Sequence, residues 1–213
     1  ASLDARQTPF VGRLAELEAV RGRLAEAAAG VGSVTVLSGP AGIGKTRLLD
    51  HALEETPLPV LRAHGDRYGA NAPYRTLQTL LRPLLGIPSA SPPIEAGALL
   101  GAAVTDRAPH LSPWLPLLAP AVRAEVDATD EVDALDDAFR AERASAVLRE
   151  FIETVTAGPG SLVLDDAQWI DPASAAVLGE MIAADAVHAI FVSRREDCGA
   201  LAVEADEIAL AGL

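Results

Sequence analysis

Gly39-Pro40-Ala41-Gly42-Ile43-Gly44-Lys45-Thr46 places glycines where a chain must turn sharply, with a lysine and a hydroxyl directly behind the turn. Residues without a Cβ let several consecutive backbone N–H groups point into one concavity, which makes an anion cradle. A helix starting near Lys45 would add the positive end of its dipole to the same place. Lys45 then offers a compact charge for β- and γ-phosphates, and the Thr46 hydroxyl a ligand for Mg²⁺. Lys45 is the only lysine in the chain, against sixteen arginines, so an ammonium appears only where a point charge is wanted.

A second acidic motif complements the loop. Leu162-Val163-Leu164 reads as a buried strand running into Asp165-Asp166. Asp165 is suited to holding a Mg²⁺ hydration shell together with Thr46, and Asp166 to orienting or deprotonating an attacking water. Arg194 or Arg195 closes a later apolar run, where a side chain could report whether a γ-phosphate is present, and Arg194 is preferred. Cys198 has no histidine pattern around it that would make it a nucleophile. His51, His64, His110 and His188 lack metal-ligand spacing. The acidic group from Asp127 to Asp137 reads as a solvated helix start.

These groups need elements to hold them. Val34 onward reads as the strand before the loop, and Lys45 to about Glu55 as the helix after it. Ahead of them, Leu14, Leu17, Val20 and Leu24 give one helical face that stops at Gly30. Leu58 to Ala63 is apolar without alternation and reads as a second buried strand. Tyr74 to Leu85 fits a helix whose last turn Pro83 disturbs. From 86 to 133, recurrent prolines predict a helical insertion of short pieces such as Ile94 to Val104 and Leu115 to Val126. Leu135 to Ala157 fits a long helix with Phe139, Val147, Phe151, Ile152 and Val155 inward. Asp171 reads as the cap of a helix with Pro172 at its first position. Val187 to Val192 and Glu207 to Leu210 supply the last two strands.

The chain has 213 residues, half of them hydrophobic and only 4% aromatic, a composition that suits helices packed on a parallel sheet. Its net charge of −13 argues against nucleic acid binding by this polypeptide itself. One cysteine excludes an internal disulfide. No apolar run reaches the roughly 18 residues of a membrane span, and no signal peptide opens the chain. The expectation is a cytoplasmic protein without membrane contact. Residues 1–213 are read as a single nucleotide-binding domain, with 1–33 as lead-in and helix, excised from a longer protein.

FVGR (Phe10 to Arg13), GPAGIGKTRLL (Gly39 to Leu49), LVLDDAQWID (Leu162 to Asp171) and FVSRRED (Phe191 to Asp197) together resemble the nucleotide-binding domain of STAND-class ATPases. The nearest resemblance is to large ATP-binding transcriptional regulators of the LuxR type. It implies an α/β P-loop NTPase fold with a five-stranded parallel sheet in the order 5-1-4-3-2, and a switch held off by ADP and turned on by ATP. It further implies Val11, Gly12 and Arg13 near the adenine, with Gly39, Ala41, Gly42, Ile43, Gly44, Lys45, Thr46 and Arg47 around the phosphates. Asp165 and Asp166 become the magnesium and hydrolysis carboxylates, and Arg194 the sensor. Gln168 stands where such regulators often carry His. The resemblance also implies self-association or contacts with lid and sensor domains beyond Leu213, and DNA binding through a helix-turn-helix outside this chain.

Overall fold

Consecutive strands that run the same way need a helix to carry the chain back, and the alternation of apolar runs with amphipathic stretches supplies those returns. The computed structural model describes residues 12–68, 72–184, 188–194, 201 and 205–212. Its strands are β1 (Ser33–Ser38), β2 (Val60–His64), β3 (Gly160–Asp165), β4 (His188–Arg194) and β5 (Asp206–Ala209). They lie in the order β2-β3-β4-β1-β5, and every pairing is parallel. This is the expected 5-1-4-3-2 order counted from the opposite edge.

Two apolar cores form because successive side chains of a strand point to opposite faces. Leu37, Val163, Ala189 and Phe191 face α1 (Leu14–Ala28) and α2 (Lys45–Leu53). Val36, Leu162, Leu164, Ile190 and Val192 face the other way. There they meet α3 (Arg75–Leu84), α7 (Asp137–Val155) and α8 (Pro172–Ala184). The unbroken apolar text of β3 and β4 reflects burial on both faces.

The second strand departs from the expectation. It occupies Val60–His64 rather than Leu58 to Ala63, at the sheet edge, with Ala63 its one fully buried residue. An edge strand has a neighbour on one side only, so Arg62 and His64 reach solvent at the end where the functional loops gather.

The insertion packs on the larger core through Leu100, Val104, Leu111, Leu118 and Val122. Helix α4 (Pro93–Arg107) is regular, but no helix spans Leu115 to Val126. A 3-10 turn (Pro109–Trp114), the single-turn α5 (Leu115–Leu118) and a second 3-10 turn (Ala119–Val122) replace it. Pro113, Pro116 and Pro120 each remove a donor from the ladder, so the backbone restarts after every few residues.

Two inward assignments also need correction. The single-turn α6 (Asp130–Asp133) stands apart from α7, because the Asp136 side chain accepts the Ala138 N–H and caps a new helix there. Phe139 falls in that helix's first turn, ahead of the buried face that starts at Ala144, and is 59% exposed. Leu14, at the first position of α1, is likewise exposed.

Candidate functional site

The loop at the end of β1 depends on backbone shapes that L side chains resist. Gly39, Gly42 and Gly44 have φ of 144°, 78° and 101°. Gly39 carries a second constraint, since a Cβ there would lie 2.7 Å from the Leu210 carbonyl oxygen. The Leu210 N–H in turn donates to Ser38 O at 2.9 Å, so the residue just past β5 braces the root of the loop. Lys45, 8% exposed, donates through Nζ to Gly39 O at 2.8 Å and Pro40 O at 3.0 Å. The ammonium is thereby held over the loop that precedes it.

The carboxylates approach from the end of β3. Thr46 Oγ1 donates to Asp165 Oδ1 at 3.3 Å, which joins the loop to the second motif. Burial pushes the Asp165 carboxyl above its ordinary value, with Asp166 adding to the shift, while the Arg62 guanidinium, the Thr46 hydroxyl and His64 oppose it. The Arg62 guanidinium lies 3.5 Å from Asp165 Oδ2 and also pairs with Asp50 on α2. Asp166, just past the end of β3, adopts a left-handed conformation, φ 49°, and its side chain is exposed. Gln168 Nε2 donates to Asp166 Oδ1 at 2.9 Å, and His64 Nε2 stands 4.0 Å from Oδ2. Among the described residues no cluster of three His, Cys, Asp or Glu side chains could hold a metal by itself. Thr46 and Asp165 therefore fit a Mg²⁺ whose other ligands come from phosphate oxygens and water, as this hard, strongly hydrated ion prefers.

Loop, helix N-terminus, hydroxyl and acidic strand end thus converge at the carboxyl ends of parallel strands, where open α/β sheets bind ligands. The sequence profile of the AAA ATPase domain matches residues 9–192. The chain belongs to the AAA ATPase domain family. Nucleotide binding is what that membership implies, commonly with Mg²⁺. A search of curated proteins gave no match.

In this AAA ATPase domain Arg13 sits behind the phosphate loop. Its guanidinium donates to Ile43 O at 3.3 Å and to Ala211 O at 2.7 Å, and pairs with Glu16 at 3.3 Å. Arg13 is itself left-handed, φ 57°, immediately after Gly12 at φ 79°. Val11 lies outside the described residues. Ala41 and Arg47 are exposed, Arg47 in the first turn of α2. Arg194 ends β4 with its Cα opposite Ser38, one residue before the loop. Its side chain, and Arg195 altogether, lie outside what is described.

Two contributors escaped the sequence reading. Arg62 and His64 are legible only once β2 is known to be an edge strand beside β3, with His64 in register with Asp165. Asp171 was read as one helix cap but serves two. It accepts from Ser174 N–H in α8 at 2.9 Å, and from Tyr74 and Thr76 N–H at the start of α3, at 2.8 and 2.9 Å. A cap that crosses to a helix about a hundred residues away leaves no local sequence signal.

Proposed function

We propose that this domain is an ATP/ADP-dependent regulatory switch in which hydrolysis is slow and Mg²⁺-dependent, set within a cytoplasmic transcriptional regulator of the LuxR type. The observation that carries the reading is the 3.3 Å contact between Thr46 and Asp165 beside a glycine-built loop, which joins a phosphate cradle to a metal carboxylate. The backbone N–H groups of the loop and Lys45 bind the β- and γ-phosphates, and Lys45 exchanges its loop carbonyls for phosphate oxygens. Magnesium, when bound, neutralises charge that develops on the β- and γ-phosphoryl oxygens. Asp166 orients a water whose oxygen attacks the γ-phosphorus. The bond to the β–γ bridging oxygen breaks, leaving ADP and phosphate, and the water's proton passes to the carboxylate and on to solvent.

Slow turnover follows from how Asp166 is held. One oxygen of that carboxylate already accepts the Gln168 amide, so an attacking water must share or displace that contact before it is aligned. Arg194, beside the loop root, is assigned the sensor role, and Gly12 and Arg13 the adenine side. Self-association and contacts to further domains, including a DNA-binding one, complete this reading.

Calorimetry with ATP and ADP on the native chain and on Lys45→Ala, together with a steady-state phosphate assay, tests it. Tight binding of both nucleotides, lost in the variant, with turnover well below the about 10 s⁻¹ common among enzymes, is expected. Rapid turnover, or phosphate appearing on an added acceptor, would contradict the switch.

A further inference from the structure

Acidic residues outnumber basic ones in this chain by 30 to 17. A cavity of about 600 Å³ between α3 and residues 87–93 inverts that balance, because Arg75, Arg82 and Arg123 line it and no carboxylate does. Arg82 is 9% exposed, and its terminal nitrogens donate to the carbonyls of Val122, at 2.6 Å, and Pro88. Its Nε has no hydrogen-bond acceptor. Among the described residues no carboxylate pairs with Arg82 or Arg123, and Arg75 has only Asp66, at 3.6 Å.

Neutral carbonyls fix a guanidinium in place without cancelling its charge, and a largely buried charge without a counter-ion is unfavourable. The arrangement gains an anion's worth of stabilisation when one enters. Its volume falls within the range of small-molecule sites, roughly 300–1,000 Å³. Ser89 and Ser91 add hydroxyls, and Pro83 and Ile87 an apolar wall.

We propose that this cavity binds a small organic anion, a carboxylate or a phosphate ester, at a place distinct from the phosphate loop. None of its lining residues belongs to that loop or to the Asp165-Asp166 corner. It is nonetheless mechanically attached to them. Thr79 of the cavity wall accepts the His64 N–H at 2.9 Å, and the first turn of α3 is held by Asp171. Occupancy would therefore be felt where β2 and β3 end.

Pyrophosphate and citrate, titrated separately and without magnesium into the native, Lys45→Ala and Arg123→Asp chains, test the assignment. Arg123 is exposed, and its φ of 52° is one that aspartate tolerates, so the charge reversal leaves the fold intact. Pyrophosphate can also occupy the phosphate loop of the native chain, so the deciding observation is a saturable binding event, by at least one probe, that remains in Lys45→Ala. Arg123→Asp should weaken it about tenfold or more, as expected for losing a charge-assisted contact, while its MgADP affinity stays native. Binding of pyrophosphate alone assigns a phosphate ester, and of citrate alone a carboxylate. The assignment is overturned if neither probe binds, if binding is equal in all three chains, or if Lys45→Ala removes it while Arg123→Asp does not.

Discussion

Asp171, with no exposed surface, gathers three backbone N–H groups from two helices into one carboxylate. Burial alone would push its pKa up, but the hydrogen bonds from Thr76, Ser174 and Tyr74 outweigh burial and hold it below the ordinary 3.8. A depressed carboxyl stabilises the fold above its unfolded value and loses that contribution as pH falls through the folded one. The native chain should lose stability below about pH 3.8 more steeply than Asp171→Ala, which has no such proton to take up. At neutral pH the same variant leaves buried donors unmatched and should be roughly 3 kcal/mol less stable, read from urea midpoints. Asp165 carries the opposite sign. Its raised pKa means that folding disfavours its ionised form, so its contribution fades as pH rises through that value. Asp165→Asn should raise the thermal midpoint of the nucleotide-free chain at pH 7 while weakening its Mg²⁺-dependent ATP binding. A lower midpoint would show that the Arg62 contact outweighs desolvation.

Helices and strands explain why part of the site was legible in the text and part was not. The loop, Thr46 and Asp165-Asp166 are written in consecutive residues, so spacing alone reveals them. Arg62 alternates out of a strand whose apolar residues pointed to full burial, and only the sheet order exposes it. Phe139 misled because an apolar residue in periodic register still lies outside the core when the helix begins just before it. Gly65, between β2 and α3, shows how closely elements are fitted here. A Cβ at Gly65 would stand 2.4 Å from Asp166 O and 2.9 Å from the Trp169 carbonyl carbon, both backbone. Gly65→Ala should therefore displace the Asp166 corner, lowering ATP turnover by tenfold or more with a smaller change in ADP affinity. Equal losses in both would place the damage at the phosphate loop instead. Gly97 holds the insertion in the same way, its missing Cβ lying 2.0 Å from Glu125 O.

Across the whole molecule, Arg13 connects the first helix, the phosphate loop and the chain just past β5. Its side chain is 6% exposed, and both carbonyls it serves, Ile43 and Ala211, belong to other segments. Arg13→Ala should lower stability by about 1–3 kcal/mol and weaken nucleotide binding, with amide exchange rising at the phosphate loop and around Ala211 together. Exchange rising at only one of the two would mean that they are not coupled through Arg13.

The brace at the loop's root also sets a schedule. Ser38 O receives the Leu210 N–H, and Gly39 packs against the Leu210 carbonyl, although more than 170 residues separate them. Long-range pairings form late because the intervening chain must first be ordered. During synthesis, which proceeds from the N-terminus at about 5–20 residues per second, the glycine turn leaves the ribosome long before its brace exists. A nascent chain thus carries the glycine turn for seconds before the residue that braces it has been made.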